Sequence, residues 1–213
     1  MKNGIKITVT SIIEWINNNP ESFSRLKRIG ILLWNLLYAV FNGIIGLKYK
    51  SYWFLWMAAW YMIIHLLRLL VISDSIIISN RRKAAGSGIC QLAVVLAGII
   101  CIGIIERRNP IRSEIIMIVL ALYTFVTLTF AIINVIKARK KEDDLLEIEK
   151  DVSLVSAIGS MLSLERGMLG TFGDASDKLT LILEASTGAV AVILILLIGI
   201  SLIRNKTGNK GLS

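Results

Sequence analysis

Residues 114–136 read EIIMIVLALYTFVTLTFAIINVI, an apolar run whose one charge stands at its start. A helix needs about 20 apolar residues to cross the hydrocarbon of a bilayer, and this run is long enough. Similar blocks occupy 29–47, 51–73, 88–105 and 179–203, with a weaker one at 152–172. The block 88–105 is short but uncharged, whereas 152–172 carries four serines together with Glu165 and Arg166. The pattern predicts an all-α fold, a polytopic integral membrane helix bundle of six transmembrane helices, or five if 152–172 lies on the surface.

Composition agrees with that reading. Of 213 residues, 55% are hydrophobic and 18% charged, and the mean hydropathy is +0.70. Soluble domains average about 25% charged residues, so a soluble globule, a disordered chain and a disulfide scaffold are all poor fits. The two cysteines, Cys90 and Cys101, share one block. On a helix they stand about 16 Å apart, too far to bridge. No CxxC pair suggests zinc or thiol redox chemistry. His65 is the one histidine, which excludes a site taking two histidines from this chain.

Lys and Arg number 24 against 15 Asp and Glu, for a net charge of +9. The basic residues gather at block ends, as membrane topology requires, and are not interleaved with aromatics as in a nucleic-acid groove. A nucleic-acid partner is therefore not expected; the expected partner is the lipid bilayer. With six spans, 16 Lys/Arg fall on one side and seven on the other; with five, 15 and eight. The six-span count puts both termini in the cytoplasm and the chain in the cell (inner or plasma) membrane, and the five-span count is barely worse, so charge alone does not settle the fifth span. Abundant Ile, Lys and Asn with few prolines fit an AT-rich bacterial genome.

Residues 1–28 read as an interfacial amphipathic segment. Ile5, Val9, Ile12, Ile13 and Ile16 follow helical spacing, and Trp15 suits the headgroup level. Asn19 followed by Pro20 resembles an N-cap with proline at the first helical position. Residues 29–204 form a single transmembrane domain, and 205–213 a cytoplasmic tail. Lys48–Lys50 leaves room only for a tight hairpin. The segment 138–151 is expected to extend the fourth helix into the cytoplasm, with solvated pairs such as Arg139–Asp143 and Lys140–Asp144.

Polar residues inside the spans carry most of the functional information, because each costs energy in hydrocarbon unless a partner satisfies it. Asn35, Tyr38 and Asn42 share a face of the first helix, as helix–helix glue or as the wall of a substrate path. In the second, Trp53, Trp56 and Trp60 share a stripe, either packed core or an aromatic wall for a ligand. Tyr61, His65 and Arg68 lie on one face below it. Arg68 either snorkels to the interface or, with His65, awaits a carboxylate or an anionic ligand.

The fifth block is the most patterned. Ser153, Ser156, Ser160, Ser163, Gly167 and Gly170 make a seam of small residues, suited to close helix packing or to lining a watery route. Glu184 is a candidate for proton or cation coupling, or a partner for Arg166. Asp174 and Asp177 are weak candidates for a hard cation. No cofactor is expected.

No zinc-protease, serine-hydrolase, P-loop or dinucleotide motif is present. The polar faces point first to a small transporter, channel or substrate-binding membrane subunit. Its ligand path would run past Asn35, Tyr38, Asn42, Trp56, Trp60, His65, Arg68 and Glu184. The alternative is a non-transporting assembly or regulatory subunit of a larger membrane complex. That subunit would dock another membrane subunit, or its own copy, through the serine–glycine seam and the 138–151 helix. An enzyme comes last, with Glu165, Asp174 and Asp177 as its only acids.

Overall fold

The computed structural model describes residues 20–72, 78–106, 113–140, 144–172 and 178–204. They contain six α-helices: α1 (Pro20–Tyr49), α2 (Tyr52–Ile72), α3 (Ile78–Glu106), α4 (Glu114–Lys140), α5 (Asp144–Phe172) and α6 (Lys178–Arg204). All six are long and apolar enough to cross a membrane. The amphipathic stretch 5–16, the Asp174–Asp177 loop and the tail 205–213 lie outside the described residues.

Two helix boundaries differ from the sequence reading. Helix α1 starts at Pro20, where the sequence reading of Asn19–Pro20 places it, and residues 20–28 form its first turns ahead of the apolar span that begins at Ile29. Proline suits that place because the first-turn N–H has no helical partner anyway. Helix α3 starts at Ile78, and Arg81, Arg82 and Lys83 form its first turns rather than a loop. Arg81 and Arg82 are buried. Arg81 Nη1 donates to Val71 O at 3.4 Å.

The second difference concerns 138–151. Only its first residues extend α4, which ends at Lys140; another helix starts at Asp144. Asp144 and Glu147 fall in the first turn of α5, where the helix dipole favours acids. They are not merely a solvated run: both pair with the buried Arg82 of α3, Asp144 at 3.4 Å.

These pairs fix the topology. Arg82 joins the start of α3 to the start of α5, and Arg81 joins it to the end of α2. At the opposite end, Glu106 closes α3 on the start of α2. Its carboxylate accepts the N–H groups of Tyr52 at 3.2 Å and Trp53 at 3.1 Å, donors that a helix start otherwise leaves unpaired. Helix α1 packs on α2, α4 on α5, and α3 on α6, with α2–α3 and α5–α6 contacts closing the bundle.

Helix α5 occupies the centre, touching α2, α3, α4 and α6. It is the least apolar of the six, yet 61% of its span is buried against 28–39% in the others. Such burial does not suit the five-span alternative, in which 152–172 lies on the surface. A polar helix is tolerable there because its neighbours shield it.

Two glycine contacts set helix separations. A Cβ on Gly86 or on Gly199 would stand 3.0 Å from the other residue's carbonyl oxygen, so α3 and α6 cross backbone to backbone. A Cβ on Gly159 would fall on the Trp60 ring. Trp60 is fully buried and donates its Nε1–H to Leu92 O at 3.1 Å.

The α1–α2 hairpin is a Schellman turn. Ser51 N–H donates to Gly46 O at 3.0 Å, and Lys50 takes the left-handed conformation (φ 51°) that this turn demands. A non-glycine residue there is strained by roughly 1–2 kcal/mol. Lys50→Gly is therefore expected to stabilise the chain by about 1 kcal/mol, read as a higher melting temperature in detergent.

Candidate functional site

The seam on α5 organises the interior. Ser153, Ser156, Ser160, Ser163, Gly167 and Gly170 are all buried. Three of the serines turn their own donors back along the helix: Ser153 Oγ to Glu149 O (2.7 Å), Ser160 Oγ to Ala157 O (2.8 Å) and Ser163 Oγ to Gly159 O (3.2 Å). The seam faces α2 and α4. Thr124 Oγ1 of α4 lies 2.8 Å from Leu120 O and 3.0 Å from Ser160 O, so one hydroxyl hydrogen is shared between two helices. Leu120 packs on Gly167. The seam is thus filled by this chain's own helices. In the acidic stretch offered for the same purpose, Asp144 and Glu147 pair with Arg82.

Three tyrosines meet at the middle of the bundle, Tyr38 from α1, Tyr61 from α2 and Tyr123 from α4. Tyr38 and Tyr123 stack with centroids 3.3 Å apart, and Tyr61 stands edge-on to them at 4.7 and 5.7 Å. Tyr123 donates its hydroxyl to Asn35 Oδ1 at 3.0 Å, and Asn42 Nδ2 donates to Tyr38 O at 2.8 Å. The Tyr38 hydroxyl faces Ser163, Asn42 and Tyr61 without closing a hydrogen bond to any of them. Around this cluster, Tyr38 OH, Tyr61 OH, Asn35 Nδ2, Asn42 Oδ1, Thr127 Oγ1 and Ser156 Oγ are buried without a partner among the described residues. A buried polar atom left so costs about 1–3 kcal/mol, a large burden for one small region.

Toward the α4–α5 end, Asn134 Nδ2 donates to Ser153 Oγ at 2.8 Å, and Arg68 Nη2 reaches the same oxygen at 3.5 Å. Arg68 Nε and His65 Nδ1 are buried without partners. Glu149 lines the same recess as Arg68. It is the carboxylate that the His65–Arg68 face called for, from a stretch that had been read as solvated.

The opposite end holds a second charged group. Arg166 is buried, with Nη1 3.0 Å from Glu184 Oε2, Nη2 donating to Gly103 O at 3.3 Å, and its guanidinium 4.5 Å over the Trp53 ring. Thr187 Oγ1 lies 2.9 Å from Glu165 Oε1 beside it.

The sequence-derived path residues therefore separate into places. Asn35, Tyr38 and Asn42 meet the serine seam at the centre. His65 and Arg68 lie toward one end and Glu184 at the other. Trp60 is packing against Gly159. Trp56 is 48% exposed and points away from the interior, so the proposed tryptophan stripe does not exist as one wall. Among the described residues, no group of three or more His, Cys, Asp or Glu is placed to hold a metal ion.

The sequence reading passed over Tyr123, Thr127 and Asn134, which form the α4 side of this interior. The signal was available: their positions repeat at helical spacing, as those of Asn35, Tyr38 and Asn42 do. Comparison with known protein families, curated proteins and solved structures finds no match to this chain.

Proposed function

We propose that the chain is a polytopic membrane protein whose six helices cross the bilayer with both termini cytoplasmic, and that it passes or binds a small polar solute along α5. One observation carries this reading: the row of buried, unpartnered polar atoms from Arg68 Nε through Ser156 Oγ to the Tyr61 and Tyr38 hydroxyls. Water or a polar solute supplies the missing partners. The charged groups at the two ends, Arg68 with Ser153 and Arg166 with Glu184, bracket that row. They bridge different helices, so each can break and reform as one end opens. The assembly-subunit reading is the weaker one because the seam it relied on is filled from within the chain.

The test needs no knowledge of the solute. In a Cys90→Ala, Cys101→Ala background, Ser156→Cys is placed in sealed vesicles and exposed to a small water-soluble thiosulfonate. Labelling within minutes, at a rate at least tenfold above that of Ile195→Cys in the dry core, is the expected result. A Ser156→Cys chain that melts like its parent but does not react would remove the proposal.

A further inference from the structure

The unpartnered atoms along α5 also bear on which solute they take. They lie between two guanidiniums, and each guanidinium has a carboxylate of its own. Arg166 pairs with Glu184 at 3.0 Å. Arg68 shares its recess with Glu149, which acts on it electrostatically. Neither arginine is therefore a spare cation for an anionic solute.

Nothing between them carries a fixed charge. From Ser153, beside Arg68, to Arg166 is thirteen residues, about 20 Å of helix. Residues 29–47 of α1, 52–67 of α2, 84–105 of α3, 115–136 of α4, 154–164 of α5 and 185–203 of α6 contain no Asp, Glu, Lys or Arg. His65 stands one turn from Arg68, at that end and not in the middle. An ion entering this stretch would leave water and meet no opposite charge, which is costly in a low-dielectric interior.

The hydrogen-bonding inventory narrows the choice further. Asn42 Nδ2 donates to the Tyr38 carbonyl oxygen, which fixes the amide and leaves Oδ1, an acceptor only, without a partner. Asn35 Oδ1 accepts the Tyr123 hydroxyl and leaves Nδ2, a donor only. The Tyr38, Tyr61, Thr127 and Ser156 hydroxyls can do either. Thr127 and Ser156 face the Tyr123 hydroxyl without closing a hydrogen bond to it. An anion only accepts and would strand Asn42 Oδ1. A metal cation or an ammonium would strand Asn35 Nδ2. A hydroxyl or amide group donates and accepts, and satisfies both.

We infer that the row takes small uncharged solutes of the hydroxyl or amide type, water among them, and rejects ions of either sign. This rests on the reading of α5 as a solute path and names what the path carries. The arginines at its ends join helices and do not bind a charged solute. Selectivity lies in the uncharged middle, where every open group must be matched by a donor or an acceptor.

The test compares three thiosulfonates that differ only in their end group: hydroxyethyl, aminoethyl and carboxyethyl methanethiosulfonate. Each reacts with Ser156→Cys in the Cys90→Ala, Cys101→Ala background, in sealed vesicles, and each rate is divided by that reagent's rate with a free thiol in solution. The hydroxyethyl reagent is expected to react about tenfold or more faster than either charged one. It should also exceed its own rate at Ile195→Cys, which accounts for entry through lipid. A charged reagent that matches the hydroxyethyl rate would overturn the inference and leave the path standing. Reaction at Ser156→Cys no faster than at Ile195→Cys with all three would remove the path, and the inference with it. Thr127→Asp sets a carboxylate in the row, and should raise the aminoethyl rate several-fold and lower the carboxyethyl rate. A folded Thr127→Asp chain with unchanged rates would also overturn the inference, and the comparison of the three reagents does not need that variant to fold.

Discussion

Gly159→Leu is expected to destabilise the chain by about 3 kcal/mol, at the upper end of overpacking costs. The side chain would enter space held by the Trp60 ring. Trp60 cannot swing away, because it is fully buried and tied to Leu92 O on its far side. The helix that must shift instead is α5, which touches four others. In mild detergent the variant should show a large drop in melting temperature and a loss of monodisperse protein. Gly159→Ala combined with Trp60→Leu should recover part of the loss of Gly159→Ala alone, with a coupling of about 1 kcal/mol or more. If Gly159→Leu melts like the parent chain, α5 is not seated on α2 as described.

Glu184→Ala has the second-largest expected effect. It leaves the guanidinium of Arg166 buried over Trp53 without its nearest carboxylate. Breaking one partner of a buried ion pair costs about 3–5 kcal/mol. Glu106 also acts on Arg166 electrostatically, which favours the lower end of that range. Replacing both partners with apolar residues removes the stranded charge. Arg166→Met with Glu184→Leu should therefore be more stable than Glu184→Ala, by thermal unfolding in the same detergent. A double variant less stable than the single would mean that Arg166 is held mainly by Gly103, Trp53 and its other neighbours.

Much of the fold was legible because apolar runs of bilayer length have few other readings. The helix ends were not, for an identifiable reason. Arg82 looks like a loop residue until its partners Asp144 and Glu147 are known, and those lie two helices further along the chain. The same blindness hid Glu149, which read as one acid in a solvated run. The serine seam was legible as a close-packing face from its spacing of three and four. What packs on it was not, because spacing does not say which neighbour a face meets. The tryptophan stripe failed on angle. Trp53 and Trp60 are nearly two full turns apart, while Trp56 sits about 60° round the helix from Trp53 and about 40° from Trp60, and it is turned outward.

The crossing of α3 and α6 at Gly86 and Gly199 bears on how the molecule is made. In order of synthesis, α4 and α5 emerge between the two partners. A nascent chain therefore carries a vacant notch at Gly86 and Cys90 until α6 leaves the ribosome, and such distant contacts form late. A translation product stopped after Phe172 would keep that notch open and could accept α6 from a complete neighbour, whose own notch would then stand empty.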